Sequence, residues 1–324
     1  HPPSASAPIK VMMMPKPIPL PPPCMPVARS TLDVTTYRVA RVVPRCTVLV
    51  MRSLSGKVAV VTGAGHGIGR ETAVALAEKG CRLAICDVNE AALEVVRREI
   101  EAAGAIVSGH VVDVSDRAQV EGFASDVIEA HGEAHILVNN AGVTVYASFE
   151  EHDIEDFEWI LSVNLWGVIY GCKYFLPHLK AAGEGHIVNL SSVFGIIAPP
   201  LQTSYVASKF AVRGFSESLR AELAEDNIGV TSVHPGAIKT NIIQNARLVT
   251  DSHAELRDAT QRLFDRLGTT PDVVAARIVK AIEYNSPRVL ITKEARMADA
   301  LKRLMPATTD GIVARVFKRV TPTK

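Results

Sequence analysis

Two residues four apart, Tyr205 and Lys209, have the types and spacing for proton chemistry. They lie in Thr203-Ser204-Tyr205-Val206-Ala207-Ser208-Lys209, which reads as the opening turns of a helix running to about Glu225, with Thr203 and Ser204 able to cap it. Residues four apart share a helix face, so the phenol and the ammonium can share a pocket. An ammonium beside a phenol favours the phenolate and lowers its pKa toward the range in which it trades protons. A half-buried tyrosine followed by a solvated lysine has the same spelling, so the surrounding chain decides between the two.

A second constellation lies near the start of the ordered pattern. Thr62-Gly63-Ala64-Gly65-His66-Gly67-Ile68-Gly69 sits between the apolar run Val58-Ala59-Val60-Val61 and helix-like sequence ending at Lys79 and Gly80. Missing side chains let the turn run tight and bring backbone close to a pyrophosphate, while the helix N-terminus offers N–H donors and partial positive charge. Asp87 closes the next apolar run, where a carboxylate can accept from an adenosine ribose and repel a 2′-phosphate. His66 and Val88 occupy neighbouring positions that could have carried a cation, so the sequence favours NAD over NADP.

The elements that must hold these residues alternate. Strands are expected at 58–61, 83–86, 106–112, 135–139, 186–190, 228–234 and 288–292. Helices are expected at 90–103, 116–131, 153–182 and 271–285, besides the one after the glycine turn and the one carrying Tyr205. Short apolar strands separated by helices imply right-handed crossovers and an α/β fold, a doubly wound parallel sheet (Rossmann fold) in a single domain. Gly63, Asp87, Asp113, Asn140, Ser192 and Pro235 would then collect at the carboxyl rim, where such sheets bind ligands.

Composition narrows the alternatives. Of 324 residues, 48% are hydrophobic, enough for a large core, and the net charge of +1 offers no general attraction to nucleic acid. No apolar run reaches membrane-span length. The five cysteines lack Cys-x-x-Cys spacing and the ten histidines form no ligand cluster, so reduced thiols, a cytoplasmic location and no metal are expected. Residues 1–52 are Pro-rich and basic, and read as a disordered extension. A cleaved transit segment, or upstream sequence joined to a start near Met51, are the other readings. Residues 53–293 are expected to form one domain that carries the candidate chemistry, and 294–324 a basic amphipathic tail.

Taken together, Thr62-Gly63-x-x-x-Gly67-Ile68-Gly69, Asn139-Asn140-Ala141-Gly142, Ser192, Tyr205-x-x-x-Lys209 and Pro235-Gly236-x-Ile238-x-Thr240 resemble the short-chain dehydrogenase/reductase family over about Gly56 to Thr292. The resemblance implies Tyr205 as general acid/base and Lys209 as the group that tunes it and holds the nicotinamide ribose. It implies Ser192 on the substrate oxygen and Asn164 in a proton relay. It further implies Asp113 and Val114 at the adenine, Asn140, Ala141 and Gly142 beneath its ribose, and Pro235, Gly236, Ile238 and Thr240 at the nicotinamide and diphosphate. A homodimer or homotetramer, built through the 153–182 helix and the Tyr205 helix, also follows from the resemblance.

The expected reaction is reversible hydride transfer between NAD(H) and a small hydrophobic alcohol or ketone. The substrate would lie on Ser192, Val193, Phe194 and Tyr205, within an apolar pocket that adds Ile196, Ile197, Leu201, Val143, Val145, Tyr146 and a helical lid carrying Ile242, Ile243, Leu248, Leu263, Phe264 and Leu267. Self-packing of these residues as core is the competing expectation. A non-catalytic nucleotide-binding regulator or scaffold and an NADP-linked carbonyl reductase are the alternatives to this function. A basic amphipathic tail can lie on an anionic membrane surface, but more often packs on its own domain or a sister subunit.

Overall fold

The sheet is built from short strands rich in Val, Ile and Leu, as burial on both faces favours. In the computed structural model, which describes residues 51, 53–248 and 252–320, these are β1 (Val58–Thr62), β2 (Arg82–Asp87), β3 (Val107–Val111), β4 (Ile136–Asn139), β6 (Gly185–Leu190), β7 (Ile228–His234) and β9 (Arg288–Leu290). Every residue of β1, β4, β6 and β7 is buried, whereas β3 is more exposed. All neighbours pair in parallel in the order β3-β2-β1-β4-β6-β7-β9. The order reverses between β1 and β4, which opens a crevice at the carboxyl ends for a ligand.

Helices α1 (Gly67–Glu78), α2 (Glu90–Ala102) and α8 (Pro271–Glu283) cover one face, where Leu76, Ile100 and Ile278 pack with Val61, Ile85 and Val233. Helices α3 (Arg117–His131), α5 (Gly167–Ala181) and α6 (Thr203–Glu222) cover the other, where Phe123, Phe175 and Val212 meet Leu137, Ile187 and Val230. The doubly wound architecture therefore follows from central strands that are covered on both sides. Met51, expected within the extension, is 7% exposed and packs into the first of these cores. The rest of the 1–52 segment lies outside the described residues, as do Cys24 and Cys46.

Three local features depart from the expected pattern. The 153–182 helix is α4 (Ile154–Leu161) and α5 joined by a π-helical turn, Ser162–Trp166, and this widened turn carries Asn164. Such turns occur where a side chain must be re-aimed. A two-stranded parallel pair, β5 (Val145–Tyr146) with β8 (Arg247–Leu248), stands apart from the main sheet. Helix α6 begins after Gln202 with no side-chain cap, and the buried Ser204 hydroxyl has no hydrogen-bond partner among the described residues, so the capping role expected of it is not filled. The segment expected to form a lid contains α7 (Ser252–Leu267), and two further helices, α9 (Lys293–Leu304) and α10 (Thr309–Val320), follow the last strand. Among the described residues no helix is long and apolar enough to cross a membrane.

Candidate active site

The carboxyl rim brings together the residues that the motifs singled out. The turn after β1 runs with positive φ at Gly63 (62°) and Gly67 (55°), backbone that a side chain would strain. A methyl group at Gly69 would overlap the Gly63 carbonyl, so the turn can fold onto α1 only without one. Thr62, the last residue of β1, and Asn140, just past the end of neighbouring β4, fix it. The Thr62 hydroxyl accepts from the Asn140 and Ala141 N–H groups at 3.0 and 3.1 Å, and the Asn140 amide donates to the Thr62 and Gly63 carbonyls at 2.9 and 3.0 Å.

Asp87 reaches this turn from the end of β2. Its Oδ2 accepts from Gly65 N–H at 2.8 Å and its Oδ1 from Asn89 N–H at 2.9 Å, leaving each oxygen with capacity for a second donor. Thr240 lies on the other side, where a Cβ at Gly67 would stand 3.0 Å from its methyl. Asp113, one strand further out, accepts from Ser115, and Val114 beside it is 6% exposed and pressed against Gly167. Ile238 is 4% exposed and bridges to Thr269, which holds the Pro235–Thr240 segment over the rim.

These observations fit a dinucleotide. The α1 N-terminus has an exposed His66 at its cap position that makes no capping bond, and no acid in its first turn. Its N–H donors and positive end are therefore available to a diphosphate. The side-chain-free surface of Gly63, Gly65 and Gly67 gives such a group close access, and Asp87 stands where a ribose would follow.

The catalytic candidates cluster at the mouth of β6. Ser192 follows β6 and caps a short 3₁₀ turn, Val193–Gly195, its Oγ accepting from Phe194 N–H at 3.1 Å. The same hydroxyl stands near enough to the Tyr205 phenol to lower its pKa. Gly195 permits this approach, because a Cβ there would stand 2.7 Å from the Lys209 carbonyl oxygen. Lys209 is 3% exposed, its Nζ donating to the Leu190 carbonyl at 3.0 Å and lying 5.5 Å from the centre of the Tyr205 ring. Asn164 is wholly buried: its Oδ1 accepts from Val143 N–H at 2.8 Å, and its amide donates to the Val143 carbonyl at 2.9 Å and to Ser208 Oγ at 3.2 Å. A Cβ at Gly142 would stand 3.2 Å from Asn164 Oδ1 and 3.4 Å from Lys209 Nζ, so Gly142 marks the place where the two approach.

The electrostatics differ from the expectation drawn from the Tyr-x-x-x-Lys spacing. Tyr205 is half-buried, and desolvation pushes its pKa up to about 12 although the nearby Ser192 hydroxyl acts to lower it. Burial brings Lys209 down to about 8. The ammonium points to the Leu190 carbonyl rather than to the phenol oxygen, so desolvation governs both groups. Tyr146 sits near Tyr205 and Thr260 of α7, and is likewise raised to about 12 by burial.

The expected apolar pocket divides. Val145 is fully buried with Ala147 and Ile160, with Val143 packed against them, so these valines serve as a small core of their own. Ile196 and Ile243 are also sealed, at 1% and 2% exposure. Val193, Phe194, Ile197, Leu201, Tyr146, Ile242 and Phe264 remain half-buried. The side chains of Leu248, Leu263 and Leu267 lie outside the described residues.

Motif reading passed over several groups. His234, 0% exposed, bonds the Ser192 carbonyl through Nδ1 at 2.9 Å and Ser232 Oγ through Nε2 at 3.0 Å, so it holds the backbone under Ser192 from the adjacent strand. Gln202 ties the loop of Thr144 and Val145 to the start of α6. Ser208 and the Leu190 carbonyl complete the surroundings of Asn164 and Lys209. The sequence signal was a polar residue directly before Pro235 for His234; the others have none.

A doubly wound parallel sheet with a glycine turn on its first helix and a Ser, Tyr, Lys and Asn set on one rim defines a nucleotide-dependent oxidoreductase of the α/β class. Residues 57–250 match the family model for short chain dehydrogenase, and the chain belongs to that family. It is an NAD(P)-dependent dehydrogenase/reductase. It is 42% identical over 276 residues to the oxidoreductase SadH of Mycobacterium tuberculosis, covering 84% of this chain and 99% of that one. Among solved structures it is similar to a short chain dehydrogenase/reductase from Burkholderia phymatum in complex with NAD, at 31% identity and a TM-score of 0.75, covering 85% of this chain and 99% of that one. It is also similar to a 3-ketoacyl-(acyl-carrier-protein) reductase from Brucella melitensis complexed with NADH, at 29% identity and a TM-score of 0.64, covering 74% and 97%.

Proposed function

We propose that the protein transfers a hydride reversibly between NAD(H) and a hydrophobic alcohol or its carbonyl, with Tyr205 as general acid/base. The observation that carries this is the buried Lys209 ammonium 5.5 Å from the centre of the Tyr205 ring, with the Ser192 hydroxyl near enough to the phenol to lower its pKa. The bound dinucleotide supplies the hydride donor or acceptor at its nicotinamide ring. In reduction, Tyr205 gives its proton to the substrate oxygen, and a pKa near 12 keeps that proton in place at neutral pH. Ser192 Oγ donates to the same oxygen and stabilises the charge developing there. Lys209 lies close enough to favour the phenolate left behind, and its buried site strengthens that attraction. The place between Asn164 Oδ1 and Lys209 Nζ, beside Gly142, is where we put the relay that returns the proton. Oxidation runs the same groups in reverse and is favoured as pH rises.

Gly63, Gly65, His66, Gly67, Ile68 and Gly69 would hold the diphosphate, Asp87 the adenosine ribose, Asp113 and Val114 the adenine. Asn140, Ala141 and Gly142 would support the ribose, and Pro235, Gly236, Ile238 and Thr240 the nicotinamide side. The Asp87 carboxylate at the turn supports NAD over NADP, as do the two relatives crystallised with NAD and NADH. Trp166 and Phe210, 48% and 37% exposed on the Asn164 turn and on α6, support a homo-oligomer joined through those helices. Buried thiols at Cys81, Cys86 and Cys172 suit a cytoplasmic setting. The test is NADH absorbance with NAD and NADP over a panel of apolar and polar alcohols and ketones. Turnover of the apolar members with NAD is expected; confinement to sugars or hydroxy acids would overturn the substrate class.

A further inference from the structure

Phe194, two residues beyond Ser192, stands between two aromatic rings. Its centroid is 6.2 Å from that of Tyr205 at 89°, and 6.0 Å from that of Phe317 at 63°. Phe317 belongs to α10, beyond the last strand, so its presence here needs an anchor. The anchor begins at Thr309, which is 0% exposed and whose hydroxyl donates to the Met305 carbonyl at 2.6 Å and the Leu301 carbonyl at 3.2 Å. Lys302 of α9 pairs with Asp310 of α10 at 2.6 Å. Val313 is 7% exposed, whereas Val316 is 51% exposed. Thr309, Val313 and Phe317 are spaced by four, so they form one stripe, and that stripe faces the protein. Its last member meets the aromatic neighbour of the phenol. Phe194 and Phe317 both stay half-buried, unlike Ile196 and Ile243, so neither ring is sealed into the core.

We propose that Phe317 is a specificity-determining residue of the alcohol and carbonyl site, supplied by α10 of the same chain. The favoured substrates carry a bulky planar apolar group that packs against the Phe194 and Phe317 rings. This rests on the oxidoreductase reading above and narrows it. A wall made by a segment beyond the family's last strand shapes the substrate without touching the proton chemistry. It also gives the amphipathic tail an intramolecular role.

The full-length Phe317→Ala variant is compared with the wild type on 1-(2-naphthyl)ethanone and 2-butanone, with NADH. The ratio of kcat/KM, naphthyl over butanone, should fall about tenfold, mainly through KM for the naphthyl ketone. A ratio unchanged within about twofold would overturn the assignment. Hydrogen exchange of the unliganded proteins separates failure of this inference from failure of the reading beneath it. The N–H groups of Val193, Gly195, Ile196 and Ile197 are all hydrogen-bonded, so their exchange reports opening of the 3₁₀ turn. If no ketone or alcohol is turned over, the oxidoreductase reading fails, and the exchange rates alone decide the wall. Faster exchange in Phe317→Ala supports the packing of α10 on the site, and unchanged exchange removes it.

Discussion

Replacing Lys209 by methionine removes a buried cation while keeping most of the length of the side chain, and activity and stability should then move in opposite directions. The ammonium pKa falls from 10.5 to about 8 on folding, which disfavours the charged form by about 3 kcal/mol relative to the unfolded chain. The sign follows from the depressed value. At neutral pH the native state carries the full cost, and stability rises between about pH 8 and 10.5, where the native protein loses its proton before the unfolded chain does. Against this stands the bond to the Leu190 carbonyl, whose loss costs about 1.5–2 kcal/mol. The variant should therefore be about 1–2 kcal/mol more stable than wild type near pH 7, and that advantage should shrink by about 2 kcal/mol near pH 9.5. Urea unfolding followed by circular dichroism at the two pH values measures both quantities. Turnover should fall by about 100-fold or more with the ammonium gone. A variant less stable at neutral pH, or a stability difference independent of pH, would refute the claim that this charge is held against its own desolvation.

Other consequences follow from the rim. Gly69→Ala drives a methyl into the Gly63 carbonyl and should cost about 1–3 kcal/mol, with weakened NADH binding, measurable by thermal melting and by nucleotide fluorescence; unaltered binding would mean that the turn does not seat the diphosphate. Asp87→Ala removes the acceptor of Gly65 N–H and the carboxylate that would repel a 2′-phosphate, so the ratio of kcat/KM for NAD over NADP should drop. A variant with its NAD preference intact would sink that account of selectivity. His186 is held neutral by burial, its pKa lowered from 6.5 to about 3, so its share of stability is present above pH 6.5 and is lost as pH falls toward 3. His186→Gln should therefore flatten acid unfolding by about 1.4 kcal/mol per pH unit across that window, and an unchanged slope would contradict it.

The fold was legible because each of its strands announces itself locally. Val58–Val61 is apolar on both faces and Ile228–His234 is buried along its whole length, and a covered parallel sheet accommodates such runs with helices between them. The rim residues were legible for the same reason: Gly63, Asp87, Asn140 and Ser192 follow strand ends directly. What escaped is non-local. The β5–β8 pair spans two residues in each strand, too few to leave a period, and it forms through contacts across about a hundred residues. The π turn at Asn164 has an ordinary helical spelling. The upward shift of Tyr205 depends on how much water its neighbours exclude, which spacing alone does not encode. Phe317 lies in a segment whose amphipathic pattern admits a membrane, a subunit or its own domain, and its contact with Phe194 supports the last of these.

The measurement that bears most directly on the central claim is the Tyr205→Phe variant, assayed for NADH-linked turnover and for NADH binding by fluorescence. The phenyl ring keeps the edge-on packing with Phe194 and loses only the hydroxyl. Turnover should vanish while the NADH dissociation constant stays within about threefold of wild type, the loss being of proton transfer rather than of the binding surface. Substantial activity in Tyr205→Phe would contradict Tyr205 as the acid and base.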